Sequence, residues 1–383
     1  MGRNNLRYEI VMTYDFSKLE KRLLNYINVK HEVSGLSVAV LKDGKELYRK
    51  NIGYLNLEKR YTVTNHSYFR LASMTKPITG VAILICRDQG LLELDDYIDK
   101  YIPSLSGFYI RDINGQLVDK KPYRLKIEWL LRHSSGLQSG PLGEKESNQF
   151  KKEDFISLEK SMELYKNTSL EFVPGTKETY SPTLAYDILA RIVEIVSKMD
   201  FYSFLKKFIF DPLGMKHTTY DINSIKEEDL VVTYKKENGL LVAPHSLEDG
   251  FEYFPNNYSG GGAGLISTLN DYIKFAEMFR SGGLYKKNKH LISEDSFKKM
   301  LSYDLNSETQ VFGLSVHVRK GAEWEHLPAS FFGWSGAYGT HFFTSKKYGI
   351  TVVYLHNSHT FGGNDGSHIF ALEDDICDIF KLK

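Results

Sequence analysis

Ser-x-x-Lys, a spacing that can support nucleophilic chemistry, occurs four times in the chain: Ser73-Lys76, Ser157-Lys160, Ser203-Lys206 and Ser296-Lys299. A serine hydroxyl is a poor nucleophile until a neighbour takes its proton. A lysine can be that neighbour when burial lowers its pKa, or its ammonium can tune a second base. The spacing recurs by chance in a Lys-rich chain, so context must separate the four. Ser73-Met74-Thr75-Lys76 alone heads a segment, with Ile78, Val81, Ala82, Ile83, Leu84 and Ile85, that is apolar almost all round, the pattern of a helix buried inside a protein. Residues three apart share a helix face. Pro77 fits only in the first turn, where its missing N–H has no helical partner to lose, and a helix N-terminus favours developing negative charge. The other three pairs lie in charged, amphipathic segments. The competing reading of Ser73 and Lys76 is a capping serine with a lysine reaching into solvent, and the pair alone does not decide between the two.

Two further segments bear on the choice. Residues 174–182 (PGTKETYSP) lead a loop into a helix beginning near Thr183, which places Tyr180 at a junction where a phenol could face a cleft. Gly333-Trp334-Ser335-Gly336-Ala337 opens a strand, and its small residues let a substrate approach the backbone. That pentapeptide is one residue short of the Gly-x-Ser-x-Gly nucleophile elbow, but the elbow needs a helix directly after the serine and later strands carrying an acid and a histidine. The segment that follows reads instead as a hairpin. His356 and His359 lack the His-Glu-x-x-His spacing and a clear third ligand, so they read as loop histidines, not as a metal pair. His133 precedes Ser134-Ser135-Gly136 and is expected to organise that turn, and Cys86 is expected to pack as a small hydrophobe.

The elements that must hold these residues come from both ends of the chain. Ser17 and Glu20 read as a capping box ahead of Leu19, Leu23, Leu24 and Ile27, one face of a helix. Residues 36–41 and 46–52 are strand-like and joined through Asp43-Gly44, a strong hairpin signal. Near the far end, Leu314, Val316 and Val318 alternate with polar residues. Residues 340–344 and 350–355 flank a turn at Gly349, and Ile369, Leu372, Ile376 and Ile379 mark a closing helix. The middle is mostly helical by pattern, for example at 184–196 and 201–210. The predicted fold class is α+β: an antiparallel sheet flanked by N- and C-terminal helices (residues 15–73 and 261–383) with an inserted, mainly helical domain (residues 74–260).

Composition bounds the partners. The 383 residues are 42% hydrophobic, enough for a large core. Lys and Arg number 49 against 48 Asp and Glu, so the broad field that nucleic-acid and anionic-membrane binders use is absent. Nucleic acid and membrane are therefore not expected partners, which leaves a small molecule, and oligomeric state is not indicated. Two distant cysteines support neither a disulfide framework nor a thiolate zinc site. Residues 1–15 contain no apolar signal-peptide core. A reduced, cytoplasmic location is the expectation.

Ser-x-x-Lys, then Tyr180-Ser181-Pro182, then Trp334-Ser335-Gly336, in that order, resembles the serine β-lactamase and penicillin-binding-protein superfamily, above all class C β-lactamases and family VIII carboxylesterases. Residues 69–76 (FRLASMTK), 130–137 (LLRHSSGL), 211–215 (DPLGM) and 260–268 (GGGAGLIST) also look like that superfamily's landmarks, in its order, across roughly residues 20–360. The resemblance implies a β-lactamase/transpeptidase-like fold and an acyl-enzyme on Ser73. It gives Lys76 as base or base-tuning ammonium and Tyr180 as the phenol that shuttles protons. The backbone N–H groups of Ser73 and Ala337 become the oxyanion hole, Trp334, Ser335 and Gly336 contact the substrate, and no metal or organic cofactor is implied. Two departures matter: Pro182 stands where β-lactamases and D,D-peptidases typically carry an Asn, and Trp334 where they carry a Lys. Both weaken recognition of anionic amides and point to carboxylic esters. β-Lactam or D-amino-acid peptide hydrolysis is the alternative, as is a module that is acylated without turnover.

Overall fold

The computed structural model describes residues 14–244, 258–303, 312–323, 325–363 and 366–382. Residues 1–13, most of the N-terminal stretch without an apolar signal-peptide core, lie outside the described residues.

The Asp43-Gly44 hairpin forms as its residue types demand. Strands β1 (Gly35–Lys42) and β2 (Lys45–Asn56) flank a turn whose two central residues have φ of +52° and +79°. Left-handed geometry at both positions matches the twist of the flanking strands. A short β3 (Tyr61–Thr62) follows, and the C-terminal part supplies β4 (His317–Val318), β5 (Phe332–Ser335), β6 (His341–Ser345) and β7 (Ile350–His356). They form one seven-stranded sheet in the order β4-β5-β6-β7-β1-β2-β3. Every pairing in it is antiparallel. The sheet's middle is therefore β1 against β7, with Val38 opposite Tyr354 and Val40 opposite Val352.

Both faces of that pair are covered. Leu36, Val38 and Val40 pack under helices α1 (Ser17–Asn28) and α5 (Ser367–Phe380) through Leu19, Leu23, Leu372 and Ile376. Arg22 fixes the two helices together through Asp375 at 2.6 Å. Ala39, Leu41, Val353 and Leu355 face a second, larger core. That core contains α2 (Lys76–Asp88), α3 (Leu184–Ser197) and α4 (Leu269–Arg280). Residues 76–86 of α2 are all buried, as the uniformly apolar pattern requires, each large aliphatic contributing about 1.5–3 kcal/mol. Among the described residues, no helix is long and apolar enough to cross a membrane.

Two local expectations fail. Ser17 does not cap α1; it is the first helical residue, and its own N–H donates to Asp15 Oδ1 at 2.9 Å. Glu20 pairs with Lys50 on β2 instead of reaching back to the backbone. A capping box needs its hydroxyl one residue before the helix, and here Phe16 occupies that place. The alternation at Leu314, Val316 and Val318 yields a strand only at His317–Val318, because Ser315 has φ +66° and breaks the extended run.

Candidate active site

Ser73 lies in a single 3₁₀ turn, Ala72–Thr75, immediately before α2. Ala72 has φ +47°, a left-handed conformation that costs a non-glycine residue about 1–2 kcal/mol. Neighbours hold the strained turn in place. Asn357, just after β7, accepts from Arg70 N at 2.8 Å and donates to Arg70 O at 3.0 Å. Leu71 N donates to Leu265 O at 2.9 Å, and Tyr272 Oη donates to Met74 O at 2.9 Å.

Around Ser73 Oγ the expected groups converge. The Tyr180 hydroxyl lies 2.6 Å away, and Lys76 Nζ donates to Ser73 Oγ at 3.1 Å. Lys76 is wholly buried, and its other two donors go to Pro182 O at 2.5 Å and Gly262 O at 2.9 Å. All three hydrogens of an ammonium group are thereby used. Two carbonyl dipoles, with the rings of Tyr180 and Tyr186 at 5.1 and 5.2 Å, supply what water would otherwise provide to a buried cation. Pro182 thus serves the lysine through its backbone carbonyl, an interaction that a side-chain comparison with Asn does not reveal.

The Gly262 carbonyl is aimed from beneath. Asp187 Oδ1 accepts from Gly261 N at 2.8 Å and Gly262 N at 3.4 Å, while Oδ2 accepts from Tyr165 and Tyr258, each at 2.8 Å. Burial pushes the Asp187 carboxyl up; these four donors act against that rise. A Cβ on Gly261 would lie 2.1 Å from Tyr186 O, so only glycine allows the loop this close to α3. Asp187 was not picked out from the sequence, although a charge at the fourth position of the apolar run Leu184–Ser197 marks it.

His133 positions the Tyr180 segment. Its carbonyl accepts from Thr179 N at 2.8 Å, and its Nδ1 accepts from Ser181 N at 3.0 Å. Nδ1 must therefore be unprotonated. Burial, with the nearby Lys76 charge, holds the imidazole well below its ordinary pKa. The ring stacks on Trp334 at 5.4 Å and 11°, and Tyr180 lies 4.9 Å from it.

The last wall is the end of β5. A Cβ on Gly336 would lie 2.2 Å from Thr340 Oγ1 and 2.3 Å from Leu71 O, so glycine is what lets this strand end meet the Ser73 turn. Thr340 Oγ1 ties the two together by donating to Leu71 O at 3.0 Å. The Ala337 N–H has no hydrogen-bond partner among the described residues. Ser73, Tyr180, Trp334, Ser335, Gly336 and Ala337 all line one cavity of about 870 Å³, together with Phe150, Phe155 and Phe312. Lys76 stands behind Ser73, off the cavity wall.

The rival residues lie elsewhere. Ser157 caps a helix by accepting from Lys160 N, and Ser296 is bound to Asp88 at 2.6 Å and Arg87 at 2.9 Å. His356 is buried in the core, and no group of three or more metal-ligating side chains occurs among the described residues. Cys86 is buried in the larger core, and that burial pushes its thiol up to about 12.

Residues 16–373 match the Beta-lactamase family. The chain belongs to the β-lactamase family. Relatives include Esterase EstB of Burkholderia gladioli, 24% identical over 370 residues that span 89% of this chain and 90% of that protein. Penicillin-binding protein 4* of Bacillus subtilis (strain 168) is 26% identical over 345 residues, spanning 88% of this chain and 70% of that one. Among solved structures, EstCE1, described as a hydrolase with promiscuous acyltransferase activity, superposes with a TM-score of 0.78 at 21% identity, covering 95% of this chain and 98% of its own. The seven-stranded antiparallel sheet with its covering helices is thus the β-lactamase/transpeptidase-like fold. This β-lactamase-family chain brings Ser73, Tyr180 and the end of β5 to one cavity, with Lys76 behind Ser73.

Proposed function

We propose that the protein is a serine hydrolase that forms an acyl-enzyme on Ser73 and hydrolyses carboxylic esters. The observation that carries this reading is the hydrogen-bond count at Ser73 Oγ. Lys76, a donor with no acceptor, points at Oγ while its other hydrogens are taken by Pro182 O and Gly262 O. The serine's own hydrogen is then left for the Tyr180 oxygen at 2.6 Å. Tyr180 is the group that takes the serine's proton, and Lys76 the donor that holds Oγ toward it.

The cycle follows from those roles. Ser73 Oγ attacks the ester carbonyl as its proton passes to Tyr180, and the Ala337 and Ser73 N–H groups stabilise the oxyanion. Tyr180 returns the proton to the departing alcohol. A water then loses a proton to Tyr180 and attacks the acyl group, and Ser73 recovers its hydrogen.

Esters are favoured over anionic amides by what the walls lack. Trp334, stacked on His133 and 5.6 Å from Phe312, presents an aromatic face where a cation would hold a carboxylate. Pro182 offers no side-chain amide to grip a substrate amide. An alkoxide leaving group also asks less of the acid catalyst than an amine does. The test is turnover of p-nitrophenyl butyrate together with labelling by a fluorophosphonate. Steady turnover that disappears in Ser73→Ala supports the hydrolase; labelling without turnover supports an acylated binding module; neither leaves Ser73 without a catalytic role. Faster hydrolysis of a β-lactam than of any ester would replace the substrate class and keep the nucleophile.

A further inference from the structure

Gln138 lines the cavity and takes no part in the mechanism above. Its backbone is left-handed, with φ +50°, a conformation that costs a non-glycine residue about 1–2 kcal/mol. A glycine would sit there without strain, so what glutamine adds at this position is its side chain. One end of that amide meets three donors: Thr183 N at 2.9 Å, Thr183 Oγ1 at 3.0 Å and Leu184 N at 3.1 Å. The other end lies 2.7 Å from Ser147 Oγ, on the short helix Pro141–Ser147. Backbone N–H groups only donate, so the atom facing Thr183 and Leu184 is Oε1 and the one facing Ser147 is Nε2. The Thr183 side chain does not cap α3, and Gln138 supplies that cap from outside.

Thr183 N and Pro182 O belong to one peptide group, which ties Gln138 to the chemistry. The group is planar, and as a trans peptide it points its carbonyl opposite to its N–H. Pro182 O accepts from Lys76 Nζ at 2.5 Å while Thr183 N donates to Gln138. Proline fixes its own φ, so the carbonyl can turn only through ψ of Pro182 and φ of Thr183. A grip on the N–H opposes that turn. It also polarises the peptide and strengthens the carbonyl as an acceptor. Gln138 itself has little room to move: a Cβ on Gly143 would lie 2.4 Å from Gln138 Cα, so the Pro141–Ser147 helix packs directly on its backbone.

We infer that Gln138 is a positioning residue for Lys76, acting through the peptide between Pro182 and Thr183. By holding the N–H it aims the carbonyl that orients Lys76 Nζ, and Lys76 in turn reaches Ser73 Oγ at 3.1 Å. The contact with Ser147 is a separate anchor to the cavity wall and is not the source of this effect. This deepens the serine-hydrolase reading and rests on it.

Four variants separate the two ends of the side chain. Gln138→Met keeps the length and removes both polar ends. Gln138→Gly also removes them, while relieving the left-handed backbone and so sparing the fold. Gln138→Glu keeps an acceptor at the start of α3, where a carboxylate is favoured, and loses the donor to Ser147. Ser147→Ala removes only the far partner. Each is assayed with p-nitrophenyl butyrate, and kcat is counted per site that a fluorophosphonate labels at completion, so unfolded enzyme does not enter. Gln138→Met and Gln138→Gly should lower kcat about 10- to 100-fold, as a misplacement of about 1 Å at a catalytic group does, with KM changed about twofold or less. Gln138→Glu and Ser147→Ala should stay within about fivefold of the wild type. The inference is overturned by a kcat within about threefold of wild type in Gln138→Met or Gln138→Gly. It is equally overturned by a Gln138→Glu or Ser147→Ala enzyme as slow as those two. In each case wild-type turnover leaves the hydrolase standing. Wild-type protein that neither turns over an ester nor takes the label removes both.

Discussion

Replacing Tyr180 by Phe removes one oxygen and little else. The ring keeps its contacts with His133 at 4.9 Å and Trp334 at 6.1 Å, and Lys76 keeps its two carbonyl acceptors. The fold loses one part-buried hydrogen bond, about 1 kcal/mol. On the proposed mechanism, catalysis loses the proton acceptor that lies 2.6 Å from Ser73 Oγ. General-base groups contribute about 10²- to 10⁴-fold, so the barrier should rise by about 3–5.5 kcal/mol. The expected result is a kcat for p-nitrophenyl butyrate lower by that factor, with KM changed about twofold or less and an unfolding midpoint near that of the wild type. Fluorophosphonate labelling of Ser73 should slow in proportion, because acylation itself needs the base. The double variant Ser73→Ala, Tyr180→Phe should be no worse than Ser73→Ala, since the two groups act as a unit. A Tyr180→Phe enzyme within about threefold of wild-type kcat would refute the donor count and transfer the base role to Lys76.

The remaining predictions are shorter. Pro182→Ala should keep kcat within about threefold, because the carbonyl that holds Lys76 belongs to the backbone; a hundredfold loss in steady-state assays would mean the proline ring itself is required. Gly336→Ala should sharply reduce both fluorophosphonate labelling and turnover while leaving the secondary structure seen by circular dichroism intact, since its Cβ would enter the space of Thr340 Oγ1 and Leu71 O. Unchanged labelling would show that the strand end and the Ser73 turn are not so closely joined. Burial holds His133 and His356 well below their ordinary pKa, and His317 at about 3. These rings stay neutral in the folded state while the unfolded chain takes up protons below about 6.5. Stability should be fully present above that pH and fall below it, by up to about 1.4 kcal/mol per pH unit for each ring. Urea midpoints at pH 7.5 and 5.5 measure this, and equal midpoints would contradict it.

Where local chemistry decides the structure, the sequence is readable. Asp43-Gly44 can supply two left-handed residues and forms the hairpin, and the apolar run after Lys76 becomes a buried helix because no face of it suits water. Ser73, Lys76 and Tyr180 were legible as candidates through side-chain type and order, and the structure brings them together. What stayed hidden depends on backbone or on register. The Pro182 and Gly262 carbonyls hold Lys76, and carbonyls have no letter in a sequence. Gln138 meets Thr183 only once the Tyr180 segment folds back across residues 133–139. The supposed capping box failed because the start of α1 is displaced by one residue, an error that residue preference alone cannot detect.

The join between Leu71 and the segment from Gly336 to Thr340 spans more than 260 positions of chain. Ribosomal synthesis delivers the proposed nucleophile early and its proposed oxyanion partner late, with many seconds between them. Throughout that interval the emerging polypeptide carries a serine beside its lysine but has no Ala337 to stabilise a tetrahedral intermediate. On the proposed mechanism, competence to acylate therefore arrives with the closing strands.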